Sequence, residues 1–216
     1  VSDIFQEVEE ELRAERARSL LRRYGGWFGL AVVLVVLGTA AYQFWSWRWQ
    51  KYESRIASRY LDGIEAMAAN PRDTARARAD FTDVIEKGSG AYVVLATLEL
   101  AALEADQGHR DKALALWGKL AAQPGVDPLL ARLAALLSVS HRLDDGDPAQ
   151  LTAELAELRK PDDPYRPLAE ECAALLALRL GKKEEAKNIL TALSGDFTAP
   201  PGLRERASAL AVEIGE

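Results

Sequence analysis

The side chains of this chain best suited to chemistry are few. There are two histidines, His109 and His141, and one cysteine, Cys172. The histidines lie 32 residues apart, and neither has a companion at ligand spacing. A metal needs several converging donors, so both histidines read as helix-end residues, where a cationic imidazole suits the dipole. Cys172 falls among Ala173, Ala174, Leu175 and Leu176. Such a thiol is expected to pack as a small hydrophobe rather than act as a nucleophile. One cysteine forms neither an internal disulfide nor a thiolate cluster. The run "DDGDP" (144–148) resembles a calcium loop but lacks the alternating ligands and the distant glutamate. It reads as a turn followed by a helix cap. Glu170-Glu171 and Glu184-Glu185 are expected to face solvent at helix starts. No G-x-G-x-x-G, Walker loop, H-E-x-x-H or nucleophile elbow is present. The expectation is therefore no enzyme, no catalytic residue, no cofactor, no metal and no small-molecule substrate.

Composition narrows the partners. The chain has 216 residues and a net charge of −6, and the part after Trp47 carries 22 Lys+Arg against 27 Asp+Glu. An acidic surface repels phosphate, which argues against nucleic acid. The same part is rich in Ala, Leu, Glu, Arg and Lys and poor in Val and Ile, which favours helix over strand.

The stretch "YGGWFGLAVVLVVLGTAAYQFWSW", Tyr24 to Trp47, holds no charged side chain. Twenty-four residues at the helical rise make about 36 Å, enough to cross a hydrocarbon core of roughly 30 Å. Trp27 stands near one end, and Trp45, Trp47 and Trp49 at the other, in the manner of interfacial aromatic belts. Arg22 and Arg23 flank one side, and Arg48 the other, where long side chains snorkel to the headgroups. This is expected to be a membrane-spanning helix over 24–47. A cleaved signal is the competing reading, since Gly38-Thr39-Ala40-Ala41 imitates a small-residue cleavage site. Against it, the preceding 23 residues are long, acidic and patterned. Five arginines on the N-terminal flank against four basic residues beyond the other end favour a cytoplasmic N-terminus only weakly.

Residues 1–23 read as a cytoplasmic amphipathic helix. Ser2 or Asp3 caps it, acidic residues crowd its start and arginines its end. Ile4, Val8 and Leu12 make a narrow stripe, which suits either a docking helix or a solvated one. Gly25-Gly26 is expected to loosen the join to the spanning helix.

The remainder repeats itself. In "GHRDKALALWGKL" (108–120), "GDPAQLTAELAEL" (146–158) and "GKKEEAKNILTAL" (181–193), glycine is followed at +5 by Ala113, Leu151 and Ala186. At +9 come Trp117, Leu155 and Leu190, and at +12 Leu120, Leu158 and Leu193. An earlier copy without the glycine keeps Ala77, Phe81 and Val84. The +5 positions are 36, 38 and 35 residues apart. Apolar helical segments precede each copy, at 56–69, 92–106, 129–143 and 168–180, and 203–214 reads as a capping helix. A lone helix pair cannot bury its apolar face, but stacked pairs share a core. The expected fold is all-α: a helical solenoid of about four pairs over 48–216, resembling tetratricopeptide repeats although the usual tryptophan and tyrosine of the first helix are mostly missing.

A closer likeness rests on "YVVLATLELAALEADQGHRDKALALWGKL" (92–120), on Leu95-Ala96-Thr97-Leu98-Glu99-Leu100-Ala101 within it, and on "GKKEEAKNIL". These resemble the repeat domain of the ancillary SecYEG translocon subunit family (the YfgM type). "DIFQEVEEELRAERARSLLRRYG" is similar to the N-terminus of its alphaproteobacterial members. The resemblance implies a single-pass protein of the bacterial inner membrane, N-terminus cytoplasmic and repeat domain periplasmic. It also implies association with the Sec translocon and with periplasmic chaperones or unfolded clients. It carries over no catalytic residue.

In tetratricopeptide arrays the first helix of each pair lines the concave face. That register puts Leu95 and Leu98, Leu133 and Leu136, and Leu168 and Leu175 on a groove for an extended segment. The alternative is that these leucines are core between paired helices. The expected role is a membrane-anchored interaction module that holds emerging chains or hands them to chaperones. The alternative is a structural accessory subunit of another inner-membrane complex, bound through its spanning and N-terminal helices.

Overall fold

The computed structural model describes the backbone of residues 2–215 and the side chains of Trp27, Leu30, 33–49 and 51–215. Among these residues there are nine α-helices and no strand. They are α1 (Ser2–Ala68), α2 (Thr74–Lys87), α3 (Ala91–Asp106), α4 (Arg110–Ala122) and α5 (Pro128–Ser140). Then follow α6 (Pro148–Leu158), α7 (Arg166–Arg179), α8 (Lys183–Ser194) and α9 (Pro201–Gly215). The chain divides into two compact units, Val1–Arg55 and Ile56–Glu216.

In the second unit each helix from α2 to α9 packs on the next, and α5 also touches α7 and α7 touches α9. Contacts between near neighbours in sequence are what a solenoid requires. The apolar interior is accordingly divided into four local clusters along the stack. The repeat register explains them. Ala77, Phe81, Val84, Ala113, Trp117, Leu120, Leu151, Leu155, Leu158, Ala186, Leu190 and Leu193 are all 3% exposed or less. The +5 residue, alanine in three of the four copies, lets the paired helix approach, and the large +9 and +12 residues fill the gap between pairs.

Gly63 shows one such approach. A Cβ there would lie 2.6 Å from Phe81 Cε1. The glycine does not end α1, which runs on to Ala68; its missing side chain makes room for the Phe81 ring.

The glycines aligned in the repeats solve their turns differently. Gly108 (φ 78°) and Gly181 (φ 74°) are left-handed. After each, the next amide reaches back to the helix: His109 N–H donates to Glu104 O and Lys182 N–H to Ala177 O. This is the Schellman stop, which favours glycine. Gly146 has no positive φ. There a Cβ would lie 2.7 Å from the Arg142 carbonyl oxygen, so close backbone approach is what requires glycine.

Aspartates start three of the other helices, α2, α5 and α6. Asp73 accepts from Arg76 N–H, Asp127 from Leu129 N–H and Asp147 from Gln150 N–H, with Pro128 and Pro148 at the first turn. The turn-and-cap reading of 144–148 thus matches the geometry at Asp147.

The first unit is a stretch of α1. The helix passes through Gly25 and Gly26 without interruption; the glycines cost helix stability but leave the backbone ladder closed. Val33, Leu34, Val35, Val36 and Leu37 are each more than half exposed. Thr39 Oγ1 donates back to the carbonyls of Val35 and Val36, and Ser46 Oγ to that of Gln43. Further on, Lys51 Nζ lies 3.9 Å from the Trp47 ring centroid, and Trp49 Nε1 donates to Glu53 at 2.9 Å. Among the described residues no helix is long and apolar enough to cross a membrane. The apolar stretch lies partly outside them, since the side chains at 24–26, 28, 29, 31 and 32 are not described. Arg22, Arg23 and the stripe of Ile4, Val8 and Leu12 also fall outside the described side chains.

Candidate functional site

The residues singled out for chemistry are held in structural roles. His109 precedes α4, and its Nδ1 lies 2.8 Å from Glu104 Oε2. Glu104 is buried on α3 and takes Arg78 Nε at 2.9 Å. His141 caps α5; its ring lies 4.7 Å from that of Trp117, and its carbonyl accepts from Arg110 Nε at 2.7 Å. Cys172 is buried, and desolvation pushes its thiol up to about 11, with the Glu171 carboxylate adding to the shift. A thiol so raised is almost wholly protonated near neutrality and a poor nucleophile. Among the described residues no three His, Cys, Asp or Glu side chains gather to hold a metal.

The two glutamate pairs differ. Glu184 and Glu185 are exposed in the first turn of α8. Glu170 and Glu171 are not solvated as expected. Glu170 Oε2 lies 2.7 Å from Arg159 Nη2, and Glu171 accepts both Nε and Nη2 of Arg206 at 2.8 and 2.9 Å. Neighbouring helices bring these arginines over α7, so the carboxylates tie α7 to the segments on either side.

Sequence reasoning missed this set of ties. Arg132 pairs with Asp163, and Arg166 with Asp196. Arg110 forks onto Asp145, and Arg142 onto Glu154. Arg179 donates to the carbonyls of Leu143 and Gly146 at 2.7 and 2.8 Å. A signal existed for two of them: Arg132 and Arg166 are 34 residues apart, and Asp163 and Asp196 are 33 apart.

What the described residues leave open is surface. The six leucines assigned to a groove do not share one environment. Leu136 is 5% exposed, inside the core. Leu98 and Leu168 are half-buried and pack against core clusters. Leu95 and Leu133 are half-buried outside any core cluster. Leu175 is exposed. On α3 the outward stripe is Tyr92, Leu95 and Glu99, at i, i+3 and i+7. On the side formed by α4, α5 and α6 lies a groove of about 640 Å³, walled by Ala115, Gly118, Ala122, Ala135, Ser138 and Gln150 among others.

The repeat register buried on the inner side of every pair, with a first-helix stripe left outside, is the layout of a tetratricopeptide array. The family model described as a tetratricopeptide repeat-like domain matches residues 18–192. The chain belongs to the tetratricopeptide repeat-like domain family. Comparison with curated proteins and with solved structures gave no match. The tetratricopeptide-like domain is typically a non-catalytic protein-interaction module, and the expected partners are proteins. Of the six leucines, Leu95, Leu133 and Leu175 lie outside the core clusters of this tetratricopeptide-like stack.

Proposed function

We propose that the chain is a membrane-anchored protein-interaction module whose tetratricopeptide-like domain works in the periplasm, ancillary to the Sec translocon. The observation that carries the anchor is the run Val33–Leu37. Five consecutive aliphatic side chains, each more than half exposed, point all around a helix. Water solvates such a belt poorly, at about 25 cal/mol for each Å² of apolar surface, and a bilayer covers it on every side. The hydroxyls of Thr39 and Ser46 are satisfied by their own helix, as a lipid environment demands. Trp47 with Lys51 and Trp49 with Glu53 then mark the water boundary, with Trp45 and Arg48 beside them. The orientation, the translocon as partner, and chaperones or unfolded clients as further partners rest on the resemblance of 92–120 and 181–190 to the ancillary translocon subunits.

Binding through the first helices rests on family membership and on Leu95, Leu133 and Leu175. Tethering raises the local concentration of such a surface without new contacts. The test is carbonate extraction of vesicles followed by protease digestion of spheroplasts. The protein should stay in the pellet and its repeat domain should be cut from outside. Release into carbonate would remove the anchor. Co-purification in mild detergent should bring translocon subunits; recovery of a different inner-membrane complex in their place would shift the role to a structural accessory subunit.

A further inference from the structure

We infer that Tyr60, Tyr92 and Glu99 form a binding site for the guanidinium of an arginine in a partner polypeptide. The inference rests on the interaction-module reading and adds to it the chemistry of one contact.

Three observations meet at this place. The first is an aromatic step. The Tyr60 ring lies 6.0 Å from Phe81 and 5.7 Å from Tyr92, tilted at 47° and 52°. Phe81 is wholly buried, which fixes Tyr60, while Tyr92 is 37% exposed at the outer end of the step. The second is an uncompensated carboxylate. Of the three acidic residues on α3, Glu104 is paired with Arg78 and His109, and Asp106 with Arg72. Glu99 has neither an ion pair nor a hydrogen bond among the described residues. Arg59, next to Tyr60 in sequence, is engaged by Asp80 and Asp83. The third is proximity. The Tyr60 phenol is raised above its ordinary value first by burial and then by the Glu99 carboxylate and by Tyr92. On α3 itself Glu99 stands two turns beyond Tyr92 on the same face, and a helical side chain leans back towards the N-terminus, which carries the carboxylate towards the aromatic step.

Tyr92, Leu95 and Glu99 share one stripe of α3, so the rings, an apolar patch and a negative charge are presented together. A ring face attracts a cation, and a carboxylate accepts a guanidinium through two parallel bonds. Arginine supplies both, because its plane stacks while its edge donates. An anionic or purely aliphatic segment would leave Glu99 uncompensated.

The experiment uses the full-length chain in mild detergent. It is titrated with the acetylated, amidated hexapeptide Ala-Leu-Ala-Arg-Ala-Leu and with the same peptide carrying citrulline in place of arginine. Fluorescence anisotropy reads the affinity, and tyrosine-labelled NMR reads the location. The arginine peptide should bind about tenfold more tightly, in line with one cation–π contact and a carboxylate, and should shift the Tyr60 and Tyr92 ring signals. Glu99→Gln should reduce that preference to less than about threefold, Tyr92→Leu should weaken it, and Tyr92→Phe should keep it. Glu205→Gln should change nothing. Equal binding of the two peptides overturns the arginine site while leaving general polypeptide binding in place. Binding of neither peptide overturns the site too, and the module reading is then judged on co-purification alone.

Discussion

Arg166 Nη2 lies 2.6 Å from Asp196 Oδ2, and the pair joins the start of α7 to the loop between α8 and α9. One repeat earlier, Arg132 on α5 pairs with Asp163 in the loop between α6 and α7. Each aspartate also turns its own loop. Asp163 accepts from Tyr165 N–H at 2.8 Å and Asp196 from Thr198 N–H at 2.9 Å. One residue type at one register thus shapes the inter-repeat loop and ties it to the preceding pair.

The Asp196 tie makes stability depend on acid. Hydrogen bonds from the Thr198 hydroxyl and amide, and then from Arg166, lower its carboxyl to about 2. An unfolded aspartate titrates near 3.9. A lowered folded-state value means the contribution is complete above about pH 4 and is lost as pH falls through about 2. The difference in unfolding free energy between wild type and Asp196→Asn should shrink over that window, measured by urea unfolding. Curves that stay parallel from pH 6 to pH 2 would refute it.

The two copies should differ in cost. The Asp163 side chain is 0% exposed, whereas that of Asp196 is 17% exposed. Arg132→Leu strands a buried carboxylate and should destabilise by about 2–3 kcal/mol. Arg166→Leu should cost less, because water and Thr198 still serve Asp196. Equal losses in chemical denaturation would count against this account.

Gly63 and Phe81 should be coupled. Gly63→Ala drives a methyl into the Phe81 ring and should destabilise by about 1–3 kcal/mol. Phe81→Leu leaves a cavity by itself, yet combined with Gly63→Ala it should cost less than the two losses added. A double-mutant cycle that is additive would show that the backbone yields instead.

The two turn types predict two responses. Gly108→Ala and Gly181→Ala place a side chain in the left-handed region with open space around it, at about 1–2 kcal/mol each. Gly146→Ala pushes a Cβ towards the Arg142 carbonyl and, in addition, comes within 3.1 Å of Leu151 Cδ1. A D-alanine introduced by ligation should therefore be tolerated at Gly108 or Gly181 and separate the two cases. Equal tolerance of L- and D-alanine at Gly181 would remove the conformational explanation.

Cys172 gives a probe of opening. Burial and its raised pKa should leave it unreactive towards a thiol reagent at pH 8 in the folded chain and fully reactive in urea. Rapid labelling under native conditions would mean that the α5–α7 core opens readily.

Much of the stack was legible because its signal is periodic. The +5, +9 and +12 positions are local facts: Ala113, Trp117 and Leu120 sit on one face of one helix whatever surrounds it. The breakers at Gly108, Pro148 and Gly181 delimit the helices for equally local reasons. The leucines of the first helices were harder to place. Leu133 and Leu136 are three residues apart on α5, yet one lies outside the core clusters and the other inside. A rotation of less than one turn decides that, and it is set by the neighbouring helices. Glu170 and Glu171 were misread for the same reason, since Arg159 and Arg206 reach them from other helices.

By itself, then, the sequence determined the all-α class, the helix order, the repeat register and the apolar belt of α1. Those follow from backbone propensities and from hydrophobic spacing along single helices. The tertiary structure alone decided which leucines lie outside the core and which carboxylates are neutralised. Charge compensation depends on arginines 11 to 35 residues away in sequence, such as Arg159 for Glu170 and Arg206 for Glu171. Such pairings exist only after the helices have stacked, because long side chains meet across a gap that no local pattern encodes.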